Sequence, residues 1–411
     1  MLSVEEARAR VLAAVDPLPT SDVLLRDALG RVLAADAVAP HDLPRFDNSA
    51  MDGFAVRGQD TSDASETAPV ELEIVGEVRA GDPADFKVLP GTACWIFTGA
   101  PLPAGADAVV PVEDTEQRDR HVVVKTSVTE GKHVRPAGDD VAAGQRVVPA
   151  GTELGAGELA LLASLGLSPI SVYDRPRVAL VVTGDEMVPP EATPKPGQIR
   201  DSNSLALTAL IEEAGGEVVL QRVVGDDRDA TVQALSEAAR LANLVVSSGG
   251  VAVGKYDYVK EVVEELGHID LWKVAMQPGK PVVLGDVKGT PFLGLPGNPV
   301  SVHIGCEQFV RPAIRKMRGC SQLLRPVISA RLTEPISKSP GRLHFVRVRL
   351  RAAESGWEAT PTGPQGSHIQ SSLVGCHGVG RFPAFAAEMA AGDAIEVEVW
   401  RLPEGEHVET S

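Results

Sequence analysis

The chain has 411 residues, enough for about two to three domains with separate cores. Its 44% hydrophobic and 23% charged residues are an ordinary globular balance, which excludes wholesale disorder. Lys plus Arg number 39 against 56 Asp plus Glu, and the resulting −17 excludes a general binder of nucleic acid or anionic membrane. An anionic substrate would have to meet a local basic cluster.

Val4, Ala7, Val11, Leu12 and Val15 share one face and predict a helix over 4–16. A weaker version of the same pattern predicts a second helix over 23–36. From 41 to about 150 the texture changes to short β runs between Gly and Pro: ELEIVGEV (71–78), ACWIFTG (93–99), DAVVPVE (107–113) and HVVVKTSV (121–128). That pattern predicts a small all-β module. A short helix follows over 154–165, so the β module reads as an insertion within a helical and extended part.

RPRVALVVTG (175–184) is a near-continuous apolar strand of the kind buried on both faces of a parallel sheet. Helices are predicted at 203–215, 227–241, 256–267 and 299–317. They alternate with strands at 217–224, 243–247 and near 271–275, 281–285 and 291–295. This alternation predicts a three-layer α/β domain with a mostly parallel sheet. The remainder, 325–411, returns to β texture in VISARL, HFVRVRL and AIEVEVW.

Cys94, Cys306, Cys320 and Cys376 are scattered without a CxxC pair, which offers neither a zinc site nor a disulfide framework. No apolar run approaches the roughly 20 residues of a membrane helix, and the first residues lack a basic leader. A cytoplasmic protein is expected.

Ligands of an open α/β sheet bind beyond the C-terminal strand ends. Three segments end strands there in small and polar residues: Thr183 to Glu186; Ser247, Ser248, Gly249 and Gly250 with Gly254 and Asp257; and Pro296, Gly297, Asn298 and Pro299. Singly, each is a turn that any α/β protein needs; together they outline a phosphate cradle. Glu186, Asp226-Asp227 and Asp257 stand beside these loops. They read either as Mg²⁺ ligands or, for the Asp226-Asp227 pair before the helix at 227, as helix caps. Lys273 and Lys280 flank a turn, either as anion-holding charges or as solvated surface lysines. The polar loop RFDNSAMDGFAVR (45–57) has the look of a functional surface segment. Neither GxxxxGK[ST] nor GxSxG is present.

Nine segments in order carry a resemblance: NSAMDGFAVR (48–57), IFTGAPLPAGADAVVPVE (96–113), RPAGDDV (135–141), VVTGDE (181–186), GQIRDSN (197–203), SSGGVAVGKYDY (247–258), WKVAMQPGKP (272–281), LPGNPVS (295–301) and GPQGSHIQSS (363–372). Over essentially its full length the chain resembles the molybdopterin molybdenumtransferases of the MoeA type, which include the gephyrin E domain. The resemblance implies four units. These are an elongated helical and extended domain (1–44 and 141–172), an inserted β domain (45–140), a three-layer α/β domain like the molybdopterin adenylyltransferases (173–322), and a C-terminal β barrel (323–411).

It further implies a homodimer whose active site joins the α/β domain of one subunit to the inserted domain of the other. The implied reaction inserts molybdenum from molybdate into adenylated molybdopterin and releases AMP, with Mg²⁺ as cofactor. A transient contact with the adenylyltransferase that supplies the substrate goes with it. Carried over position by position, the catalytic residues would be Asp52, Thr98, Asp140, Glu186, Asp257 and Lys273. The metal would lie on Asp226, Asp257 and Glu186. Substrate would be held by Arg135, Ser248, Gly249, Gly250, Gly254, Gln277, Lys280, Pro296, Gly297, Asn298, Pro299, Arg347 and Ser367. At Gln277 some members carry a lysine, so this chain offers the anion an amide donor without charge. The alternatives are an adenylyltransferase acting one step earlier, disfavoured by the segments outside the α/β part, and a non-catalytic scaffold, disfavoured by the carboxylates at 52, 140, 186, 226 and 257.

Overall fold

Residues 1–250 and 258–403 are described in a computed structural model of the chain. Helix α1 (Val4–Ala13) starts at Ser3, whose hydroxyl accepts from Glu6 N while the Glu6 carboxylate accepts from Ser3 N. This reciprocal cap satisfies two of the donors that a helix start leaves unpaired. Val4, Ala7 and Val11 bury one face, as the periodicity predicts.

The helix predicted over 23–36 is not formed. Thr20–Val23 is a strand paired antiparallel with Ile170–Tyr173, followed by a 3-10 turn at Leu25–Asp27. Gly30 at φ +68° breaks any helical continuation. The apolar residues that mimic a helical stripe instead pack, with Ala28 and Leu33, against Leu154, Leu162 and Val172. Tertiary contact overrides a weak local period here. Helix α2 (Ala156–Ser164) supplies Leu162 to that cluster. Ala37–Val38 pairs with Arg146–Val148, so the chain leaves this unit and returns to it.

Between those points lies a six-stranded sheet in the order Ala108–Pro111, Gly53–Val56, Thr92–Ile96, Val70–Val78, His121–Val124, Thr115–Arg118. Strand alternation sends Phe54, Leu72 and Val110 to one core and Ala55, Val78 and Val109 to another.

The next sheet has the order Glu217–Val224, Arg177–Thr183, Leu244–Ser248, Thr290–Leu295, Pro281–Val287, Gly267–Lys273. Its first four strands are parallel, Pro281–Val287 runs antiparallel to them, and Gly267–Lys273 pairs antiparallel with Pro281–Val287. One face is covered by α3 (Asn203–Glu213) and by a continuous rod that also packs on α1. The other carries α4 (Arg228–Leu241) and α5 (Tyr258–Leu266). The rod is α6 (Pro299–Gly305), a π-helical turn at Cys306–Val310, and α7 (Arg311–Met317).

Val327–Leu332, Leu343–Ala353, Gly356–Pro361, Gly378–Phe382 and Ala394–Val399 close into a five-stranded barrel. Closure is possible because the long strand Leu343–Ala353 pairs with Gly356–Pro361 along one half and with Gly378–Phe382 along the other. Val346, Val348 and Leu350 fill the barrel, whereas Phe345 joins the α/β core. The pair Met276–Gln277 adds to the same strand at Leu343–His344 and ties the α/β sheet to the barrel.

Candidate active site

The four parallel strands end at one edge, so the loops after Thr183, Val224, Ser248 and Leu295 converge there. They surround an open cavity of about 570 Å³. Gly249 and Gly250 sit at φ +86° and +69°, and a Cβ on Gly249 would lie 2.8 Å from the Thr183 carbonyl oxygen. Only glycine fits that turn. Asn203, the first residue of α3, donates from Nδ2 to Ser248 Oγ (3.0 Å) and to the Gly297 carbonyl (2.7 Å). One buried amide thus fixes two of the loops to each other. Asp201 caps the same helix end, accepting from Ser204 N at 3.0 Å and from the Ser204 hydroxyl. A strap formed by Met187–Val188 alongside Ile199–Arg200 closes a further wall.

Of the sequence-predicted residues, Glu186, Asp226, Gly249, Gly250, Gly297, Asn298 and Pro299 line this cavity. Ser248 and Pro296 are buried just behind it. Asp227 is the cap of α4, accepting from Ala230 N at 2.7 Å, as the capping alternative expects. The Asp226 carboxyl is pushed above its usual range, first by burial and then by the neighbouring carboxylates Asp185 and Glu186. Among the described residues no three His, Cys, Asp or Glu side chains are grouped closely enough to hold a metal ion by themselves. Gly254 and Asp257 lie outside the described residues.

A second group sits on the inserted sheet. Asp52 Oδ1 accepts from both Thr98 N (2.7 Å) and Thr98 Oγ1 (2.8 Å), which holds its carboxyl below the usual range. Arg135 is paired in register with Asn48, and Asp140 N donates to the Leu43 carbonyl at 3.0 Å. Neither Asp52, Thr98, Arg135 nor Asp140 lines the α/β cavity of its own chain.

The third group is at the barrel junction. Lys273 and Lys280 are exposed and joined by a bond from Val274 N to the Lys280 carbonyl (3.0 Å), with half-buried Gln277 in the turn between them. Arg347 is fully buried, and burial lowers its guanidinium to about 10. It donates to Ser372 Oγ (3.1 Å) and to the carbonyls of Gly366 (3.2 Å) and Pro364 (3.4 Å), while Nη1 has no partner. The clamped segment reaches the cavity rim, because the Ser367 carbonyl accepts from Val300 N at 3.1 Å in the first turn of α6.

The MoeA N-terminal region (domains I and II) matches residues 2–166 as a family profile, a probable molybdopterin binding domain matches 179–316, and the MoeA C-terminal region (domain IV) matches 329–400. Molybdopterin molybdenumtransferase 2 of Mycobacterium tuberculosis is 39% identical over 408 residues, spanning 98% of this chain and 100% of that protein. The chain belongs to the MoeA family of molybdopterin molybdenumtransferases. The Haemophilus influenzae molybdopterin molybdenumtransferase is 35% identical over 97% of the chain and 98% of its own length. A crystal structure of the molybdopterin biosynthesis MoeA protein from Pyrococcus horikosii superposes with a TM-score of 0.84 at 34% identity, covering 98% and 99% of the two chains.

Within this MoeA chain, sequence reasoning gave no role to Asn203 or Arg200, and placed Asp185 in a strand-end loop without a task. All three stand inside motifs that carry the resemblance, but spacing alone gives an amide, a guanidinium or a loop carboxylate no task. Asp185 Oδ1 accepts from Asp226 N at 3.0 Å, so it shapes the loop that presents Asp226. No helix among the described residues is long and apolar enough to cross a membrane.

Proposed function

We propose that this chain inserts molybdenum from molybdate into the dithiolene of adenylated molybdopterin and releases AMP, in a Mg²⁺-dependent step within a cytoplasmic homodimer. The observation that carries this reading is the α/β cavity itself: strand-end loops whose tight turns only glycine can form, and carboxylates among its lining residues. It stands in a chain whose whole length follows the transferases.

The residues present fit a magnesium ion. Asp226 is a carboxylate repelled by its neighbours, a state that a divalent cation relieves. Glu186 shares the cavity, and Asp257 is assigned here too on family grounds. Too few acids gather for a closed protein cage, which suits an ion that keeps waters and phosphate oxygens in its shell. When bound, Mg²⁺ neutralises phosphate charge and polarises the phosphoanhydride.

The chain's own residues supply position and proton transfer. Ser248, Gly249, Gly250, Gly254, Pro296, Gly297, Asn298 and Pro299 hold the nucleotide side of the substrate. Lys273, Gln277, Lys280 and Ser367 receive the molybdate dianion, and the buried Arg347, also carried over from the family, acts there by holding the 364–366 segment in place. The buried Arg347 clamp and the Ser367 contact to α6 support this, because they join that junction to the cavity rim. Asp52, kept ionised by Thr98, is the proton acceptor, with Asp140 and Arg135 beside it. These last residues lie away from the chain's own cavity, which supports completion of each site by the partner's inserted domain. The same reading divides the chain at 44, 140, 172 and 322, and foresees a transient contact with the adenylyltransferase that delivers the substrate.

The test is AMP release from adenylated molybdopterin, with and without molybdate and Mg²⁺. Release that needs both, with molybdenum retained on the pterin, supports the assignment. Tight binding without release under all conditions overturns it.

A further inference from the structure

The charged side chains lining the α/β cavity are Glu186, Asp226 and Arg200. The two acids repel a phosphate, and so does a chain with a net charge of −17. Arg200 is therefore the one cation among the described lining residues that can answer an anion there. Its side chain forms no hydrogen bond or ion pair among the described residues. Two arginines near the same cavity edge are committed elsewhere: Arg222 pairs with Glu237, and Arg228 with Glu261 and Glu265. The acid next to Arg200 in sequence, Asp201, is buried and engaged by Ser204.

The backbone around Arg200 is held on both sides. Ile199 N donates to the Glu186 carbonyl at 2.8 Å and Asp201 N to the Val188 carbonyl at 2.9 Å, with Arg200 in register opposite Val188. The Cα is thus pinned in the cavity wall while the guanidinium remains free. An arginine on a loose surface loop lacks the held backbone.

We propose that Arg200 binds the phosphate of the adenylyl group in this cavity and sets the preference for a phosphorylated nucleotide over its nucleoside. This rests on the reading above that the nucleotide side of the substrate occupies the α/β cavity. Guanidinium stays charged at all working pH values and presents a planar fork that matches two phosphate oxygens, which a lysine ammonium cannot reproduce. Glu186 and Asp226 line the same cavity and disfavour a phosphate placed against themselves, which leaves Arg200 as the charged lining residue that attracts one.

The experiment is calorimetric titration of AMP and of adenosine into the full chain, with EDTA and with Mg²⁺, for wild type, Arg200→Gln and Arg200→Lys. Circular dichroism checks that the variants fold. Arg200→Gln is expected to weaken AMP binding roughly tenfold or more, as loss of a charge-assisted bidentate contact does, and to leave adenosine unchanged. Arg200→Lys should recover part of the loss, and added salt should shrink the AMP preference of wild type. An Arg200→Gln protein that keeps the wild-type ratio of AMP to adenosine affinity overturns the assignment. Wild type that binds neither ligand removes the nucleotide reading along with it, and that failure is visible in the wild-type titration alone.

Discussion

Asp226 and Asp52 are the same residue in opposite circumstances. Asp226 faces Asp185 and Glu186, and both its partial burial and their charges push its carboxyl up. Asp52 stands on a different sheet, fully exposed, and two donors from Thr98 pull its carboxyl down. Groups driven apart in this way take different chemical roles at one pH. Asp52 holds a stable negative charge without outside help and can serve as a proton acceptor. Asp226 carries an electrostatic penalty when ionised, which a bound cation or a proton relieves. Under the proposed function these two acids take complementary tasks, one toward a cation and one toward a proton.

Replacing Asp226 by Asn attacks the cation-seeking half and should have the largest effect. AMP release is expected to fall by roughly a hundredfold or more, as loss of a charge that holds a catalytic metal implies. Stability should move the other way. A carboxyl with a raised folded pKa binds its proton more tightly in the folded state, so it destabilises the fold once both states are ionised. Asp226→Asn should thus melt higher than wild type at neutral pH without Mg²⁺. The gain should disappear below the ordinary aspartate pKa of about 3.9, where both states are protonated. Added Mg²⁺ should raise the melting temperature of wild type and leave the variant unmoved. Equal Mg²⁺ responses in the two proteins would break the contrast between the aspartates.

A smaller effect is expected from Asn203→Ala, which loosens the loops around Asp226's cavity without touching charge. The substitution leaves Ser248 Oγ and the Gly297 carbonyl without their donor inside a largely buried site. The cost should be about 1–3 kcal/mol, read from the urea midpoint at constant slope. The KM for adenylated molybdopterin should rise several-fold while the pH profile of kcat keeps its shape. A changed profile would mean that the amide touches the reacting atoms instead of the loops.

The α/β part was the most legible in sequence. Its strands at 217–224 and 281–285 and its helices at 203–215 and 299–317 are long, strongly patterned and buried on predictable faces, and the structure forms all of them within a few residues. The loops after Thr183, Ser248 and Leu295 could be named as a pocket because parallel strands must end together. The stretch 23–36 was misleading, since its apolar spacing serves a small cluster with 154–172 that only the fold brings together. Side-chain partners were illegible for the same reason. Asp52 and Thr98 stand 46 positions apart, and nothing between them announces that one accepts two bonds from the other; nothing near Arg347 announces that it clamps the carbonyls at 364 and 366. Those relations depend on register across strands and on loops that close over long separations.

The gentlest test of the Asp52 half is Thr98→Val, which removes the hydroxyl donor and keeps the backbone one. A carboxyl whose folded pKa is depressed contributes stability above its ordinary pKa and loses it as pH falls through the folded value. With one of the two donors gone, the Asp52 carboxyl should titrate closer to the usual aspartate range, measurable by carbon NMR of the side-chain carboxyl. The acid limb of the AMP-release profile should shift upward in pH by the same amount. Activity near pH 7 should fall only a few-fold, because Asp52 remains ionised there in both proteins. Near pH 4 to 5 the deficit should widen, since the variant begins to protonate before wild type does. A carboxyl that shifts without moving the acid limb would leave Asp52 as an ionised neighbour of the reaction, and the proton acceptor would then have to be sought at Asp140.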